Sequence, residues 1–134
     1  MKKTYKSMAL AILMDVVSKT LTEIMEDTLI KLSPLDFTNC ADFYRMLKRR
    51  FASIVVSHRQ EIYDILSSAE FISKYPVMKK ILKLPVSKLK KSIIFLSGIG
   101  CTTLEISHIL QCEKRSVSTM RSSCRHYISS IFKH

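Results

Sequence analysis

"GCTTLEISHILQCEKRSVSTMRSSCRHYI", residues 100–128, decides how the rest of the chain is read. Thr102-x-x-Glu105 has the spacing of a capping box, in which the threonine hydroxyl accepts from the Glu105 N–H and the Glu105 carboxylate accepts from the Thr102 N–H. It predicts a short helix to Leu110 with Leu104, Ile106, Ile109 and Leu110 as its apolar members. Gln111-Cys112-Glu113 then reads as a turn. From Lys114 to about Phe132, Val117, Met120, Cys124, Tyr127, Ile128 and Ile131 follow in steps of three and four, which predicts one longer helix with one stripe. Its other positions are Arg115, Ser116, Ser118, Thr119, Arg121, Ser122, Ser123, Arg125 and His126, with no acid after Glu113. A merely solvated helix mixes both charge signs and favours Glu, Lys and Gln, whereas serine and threonine are mediocre helix formers. Short hydroxyl side chains flanked by cations suit a helix whose backbone approaches base edges in a major groove.

Working toward the N-terminus, Gly98 and Gly100 are the only glycines of the chain. They are expected just past a helix end, where glycine supports a left-handed cap and a sharp turn. The helix they end is capped by Ser87 and turns Leu89, Ile93, Ile94 and Leu96 inward. Pro85 closes a shorter helix that Pro76 opens as its first residue and that runs through Leu84. A long helix from about Ala41 to Ala69 carries the stripe Phe43, Leu47, Phe51, Ile54, Val55, Ile62, Ile65 and Leu66. Its Lys48-Arg49-Arg50 triplet is either a solvated face or an auxiliary phosphate contact. The first helix spans Tyr5 to Leu32 and is apolar almost all round between Met8 and Val17, more than one core requires, so part of it meets a second partner, within the chain or in a dimer. Between these two helices, Ser33-Pro34 and Thr38-Asn39 signal a turn and a cap.

A chain of 134 residues with 47% hydrophobic residues, seven Met, two Gly and three Pro fits an all-α globule. The formal charge of +11 is unevenly placed. Residues 1–71 hold ten Lys/Arg against nine Asp/Glu, and residues 72–134 hold twelve against two, Glu105 and Glu113. That asymmetry implies a polyanionic partner. A membrane surface fits poorly, because the basic helix spends its apolar side on a narrow core stripe. The opening MKKTYKSMALAILMDVVSK resembles a signal peptide only superficially: Asp15 interrupts the apolar run and no small-residue cleavage site follows, so a cytoplasmic location is expected. Cys40, Cys101, Cys112 and Cys124 form no Cys-x-x-Cys pair and read as reduced thiols, with no metal site. His58, His108, His126 and His134 join no nucleophile pattern and no glycine-rich phosphate loop exists, so neither an enzyme nor a cofactor is expected.

With those motifs in hand, Val86 to Ile128 resembles the LuxR/NarL-type helix-turn-helix module of bacterial transcription regulators. GCTTLEISHIL matches its Gly-x-Ser/Thr-x-x-Glu-Ile-Ala-x-x-Leu, and KRSVSTMRSSCRHYI matches its recognition helix, in a form similar to Bacteroidetes regulators. The resemblance implies an all-α chain: residues 1–84 as a helical dimerisation or signal-input domain, and 85–134 as a four-helix DNA-binding domain. It implies that Gly100 makes the turn before the scaffold helix and that Ile106, Leu110, Val117, Cys124 and Ile128 form its core. Ser118, Thr119 and Ser122 would face bases, Lys114, Arg115, Ser116 and Arg125 would hold phosphates or the groove edge, and Thr102 completes the DNA-binding set. Arg121 is either a phosphate contact or a partner of Glu105. The implied partners are double-stranded DNA and a second copy, with RNA polymerase or another regulator as a further one. The chain departs from the pattern at Leu89-Lys90, Ser107, Gln111 and Glu113, the last a weaker N-cap that puts an acid near where a phosphate would lie. A helix-turn-helix kept for protein contact, or one like sigma-factor region 4, is the alternative.

Overall fold

The computed structural model describes the backbone of residues 2–31 and 40–132, and the side chains of residues 6–26 and 49–132. The turn expected around Ser33-Pro34 and Thr38-Asn39 lies outside them. Among the described residues the chain is all-helical, with no strand. Its helices are α1 Lys2–Lys31, α2 Cys40–Leu66, α3 Ala69–Lys74, α4 Met78–Leu82, α5 Lys88–Gly98, α6 Thr103–Leu110, α7 Lys114–Ser123 and α8 Arg125–Ile131. No helix is long and apolar enough to cross a membrane among the described residues.

Local signals place most helix ends. The Ser87 hydroxyl accepts from the Lys90 N–H and starts α5. Both halves of the expected capping box start α6: Thr102 Oγ1 accepts from Glu105 N–H at 3.1 Å and Glu105 Oε1 accepts from Thr102 N–H at 2.9 Å.

Four expectations need correction. The second helix does not run to Ala69, because Ser68 turns extended and accepts from the Phe71 N–H, capping a new helix. Pro76 does not open the next helix but lies in the turn before Met78, its carbonyl accepting from the Lys79 N–H. The last helix is two, broken at Cys124, which leaves the helical region (φ −105°, ψ 6°) while its carbonyl accepts from both Tyr127 and Ile128. Gly98 closes α5 rather than following it: a Cβ there would overlap the Phe132 ring, so this glycine admits that aromatic side chain. Gly100 is the turn residue, at φ +101°.

One cluster of buried apolar side chains runs through the described residues. It joins Ala9, Leu13 and Val17 of α1, Ile62 and Leu66 of α2, Phe71 and Tyr75, Met78 and Ile81 of α4, Ile93 to Leu96 of α5, Ile106, Ile109 and Leu110 of α6, and Val117 and Cys124. It therefore crosses from residues 1–84 into 85–134 without a gap. Phe95 sits at its centre, fully buried, edge-on to Phe71 (ring centroids 5.3 Å apart) and Tyr75 (5.7 Å). Such edge-to-face pairs add to the area that each ring removes from water.

The turn between α6 and α7 is made by Gln111 at φ 53°, ψ 49°, the only non-glycine residue with positive φ among those described. A residue with a Cβ is strained there, and glycine is the common solution at a helix C-terminus. Gln111→Gly is accordingly expected to raise the free energy of unfolding by about 0.5–1 kcal/mol, net of the extra freedom glycine gives the unfolded chain. Urea titration checks it; a loss of stability would show that the Gln111 side-chain bond to the His108 carbonyl outweighs the strain.

Candidate nucleic-acid interface

Helices α6 and α7 form a hairpin held on its inner side by Val117 and Cys124 and by partly buried Met120. Every other described residue of α7 except Arg121 is exposed: Lys114, Arg115, Ser116, Ser118, Thr119, Ser122 and Ser123. At 100° per residue, Arg115, Thr119 and Ser122 form the crest opposite the core, while Lys114, Ser118 and Arg121 lie on the edge toward the start of α6. Arg125, exposed at the start of α8, continues that edge past the Cys124 break. Ser116 lies on the far edge. Thr119 returns its hydroxyl to the Arg115 carbonyl at 3.0 Å, and Ser123 donates to the Met120 carbonyl, so those two hydroxyls are engaged within the helix.

Two clefts flank this edge. One, about 310 Å³, is lined by Thr103, Ser118, Arg121, Ser122, Arg125, Ile128 and Ser129. The other, shallow and about 530 Å³, includes Thr102, Thr103, Lys114 and Arg121. Thr103 and Arg121 separate them, tied by Arg121 Nη1 donating to Thr103 Oγ1 at 2.6 Å. Of the two alternatives for Arg121, the structure does not show the one with Glu105: the hydrogen-bond partner of its guanidinium is Thr103. The expected set divides accordingly. Thr102, Lys114 and Arg121 gather around one cleft, Ser118, Arg121, Ser122 and Arg125 around the other, and Arg115, Ser116 and Thr119 stand outside both.

Glu105, one of only two acids in residues 72–134, is answered from a distance. Lys6 of α1 donates from Nζ to Glu105 Oε1 at 2.9 Å, the oxygen that also accepts from Thr102 N–H. The Lys6 bond is the largest cause of the lowered Glu105 pKa, followed by the Thr102 backbone N–H, and the same contact raises that of Lys6. With one pKa lowered and the other raised, the bridge stabilises the fold between them. It fails in acid once Glu105 is protonated, and in alkali once Lys6 loses its proton. Burial, then the nearby Glu105 carboxylate, pushes the Cys101 thiol up to about 11, and burial raises that of Cys112, so neither is a reactive thiolate near neutral pH.

The other end of α6 is held by α2. His58, 1% exposed, places Nε2 2.5 Å from the Ile109 carbonyl and Nδ1 2.7 Å from Thr20 Oγ1 of α1. A carbonyl only accepts, so Nε2 carries a hydrogen, and in the neutral ring Nδ1 accepts from the threonine hydroxyl. Arg59 donates from Nε to the Leu110 carbonyl at 3.0 Å and from Nη2 to the Gln111 carbonyl at 2.6 Å. Three successive carbonyls at the end of α6, groups that a helix leaves without internal partners, thus receive side-chain donors from α2, and two cations or dipoles meet the negative end of the helix.

Lys6, His58, Arg59 and Thr103 are the residues that sequence reasoning missed. The Lys6–Glu105 and Arg59–Leu110 contacts span 99 and 51 residues, and no motif or periodicity links such positions. Of the basic triplet on α2, Arg49 and Arg50 are exposed and the Lys48 side chain lies outside the described residues. No group of three or more His, Cys, Asp or Glu able to hold a metal occurs among the described residues. No family model, curated protein or solved structure matches the chain.

Proposed function

We propose that this chain is a DNA-binding transcription regulator in which α5 to α8 act as a LuxR-type helix-turn-helix module and α7 reads the major groove. The observation that carries this reading is the outward surface of α7: exposed cations and hydroxyls from Lys114 to Ser123, no acid after Glu113, and no ion pair for Lys114, Arg115 or Arg125 among the described residues. The Lys6 bridge supports it, because it neutralises Glu105, one of the two acids of the hairpin. On this reading Ser118 and Ser122 approach bases, and Lys114, Arg115 and Arg125 hold phosphates. The capped start of α6, with Thr102 and Thr103, sits against the backbone. A single such helix covers only a few base pairs, so the regulator binds as a dimer on two half-sites.

The test is binding to selected duplex DNA over a salt titration, with the intact chain and with Arg115→Ala/Arg125→Ala. Two lost phosphate contacts should flatten the slope of log K against log salt by about two and weaken binding roughly 10- to 100-fold near physiological salt. An unchanged slope sinks the reading. A second reading rests on Glu113, which occupies the N-cap of α7 without a side-chain hydrogen bond and leaves its carboxylate exposed beside Lys114. If no DNA sequence is preferred over bulk DNA, the same hairpin serves protein contact, as in the alternative of a partner in the transcription machinery.

A further inference from the structure

Helix α1 buries one stripe against the core, with Ala9, Leu13, Val17 and Thr20 at its centre. A second stripe, about 120° around the helix, faces solvent: Ser7, Ala11, Met14, Ser18, Leu21 and Met25, all exposed, with Met14 44%, Leu21 46% and Met25 64% accessible. The steps are four, three, four, three and four, which is the a/d spacing of a helix that meets another helix. None of the six residues is charged. Asp15, Lys19, Glu23 and Glu26 lie beyond the stripe on the other flank, and Asp15 has Lys19 one turn along.

We infer that this stripe is the seam of a homodimer in which α1 packs antiparallel on α1 of a second copy. The order of side chains points to that occupant and orientation. About a two-fold axis near residue 16, Ser7 falls opposite Met25, Ala11 opposite Leu21, and Met14 opposite Ser18. Each layer pairs one small residue with one large one, and each pair occurs twice, as a self-complementary isologous interface requires. A parallel pairing would instead put like on like, leaving two loose layers at Ser7 and Ala11 and two crowded ones at Leu21 and Met25.

Charge favours the same occupant. Residues 72–134 carry twelve cations against two acids, so two copies repel through that half, whereas residues 1–71 hold ten against nine and allow close approach. From Ser7 to Met25 the stripe is about 27 Å long, about five helical turns along which the two helices meet.

The test is sedimentation velocity on the full chain without nucleic acid, so its outcome is independent of whether the chain reads DNA. The unaltered chain is expected to be dimeric at micromolar concentration. Ala11→Glu alone and Leu21→Lys alone should each raise the dimer dissociation constant by at least about tenfold, since each puts a charge into an apolar seam. Both positions are exposed, and circular dichroism should show each variant folded. Combining the two should restore the dimer, because the antiparallel seam sets each introduced carboxylate opposite an introduced amine. A chain monomeric to about 100 µM, or a dimer indifferent to Leu21→Lys, overturns the seam; a double variant that stays monomeric overturns the antiparallel pairing.

Discussion

His58→Ala is expected to lower the free energy of unfolding by about 2–4 kcal/mol, although His58 belongs to no catalytic pattern and makes no ion pair among the described residues. The side chain is 1% exposed and satisfies two polar groups on other helices, the Thr20 hydroxyl and the Ile109 carbonyl. Truncation leaves a cavity and two buried groups without partners, and both terms destabilise. At this chain length each kcal/mol moves the melting temperature by roughly 3–5 °C, so the change is easily read by thermal unfolding. A partner variant separates packing from bonding. Thr20→Val removes only the hydroxyl and should cost about 1 kcal/mol, and the double variant should cost less than the sum, because the two share one bond. Strict additivity, or a His58→Ala loss under 1 kcal/mol, would show that His58 is filler rather than a bridge. Hydrogen exchange gives the location: amides around Leu110 to Cys112 should lose protection first.

Phe95→Ala should cost more, about 3–5 kcal/mol. Its ring is fully buried and contacts Phe71 and Tyr75, which themselves stack at 4.6 Å, so its loss empties the space between α5 and the α3 end that carries those rings. A domain of ordinary stability, about 5–15 kcal/mol, loses a large share of it by that one change. The denaturant midpoint should fall with little change in the slope m, as expected when the native state weakens without altering what unfolding exposes. Recovery by Phe95→Leu to within about 1.5 kcal/mol would mark volume as the main term. A loss under 1.5 kcal/mol for Phe95→Ala would mean that the aromatic cluster closes over the gap.

What could be read from residues alone was what residues settle within one turn. The Thr102–Glu105 box, the Ser87 cap and the Val117, Met120, Cys124 stripe all stand where their spacing puts them. The misread boundaries are also local, but they turn on competition. Ser68 can continue a helix or cap the next one, and capping prevails where Phe71 must swing into the core. Cys124 keeps to the stripe of the last helix, yet its backbone bends there, and a helical period does not register a bend that preserves the apolar face. Gly98 looked like a turn and is a contact surface for Phe132, a distinction that needs the neighbour. In the candidate interface, the exposed face of α7 was legible, because polarity and period suffice to show which side is wet. The grip on α6 was not: Lys6, His58 and Arg59 come from helices that only tertiary packing brings near.

That grip bears on how portable the hairpin is. A fragment confined to residues 85–134 would carry the motif but leave behind the donors to the Ile109, Leu110 and Gln111 carbonyls, the Lys6 counter-charge and the apolar surfaces against which Ile93, Ile94 and Phe95 are buried. Grafted onto another protein, such a fragment would bring the capped start of α6 and the polar face of α7 without the groups that steady them. A substitution on α1 or α2 that removes Lys6, His58 or Arg59 therefore acts on the hairpin through α6 without touching the exposed face of α7.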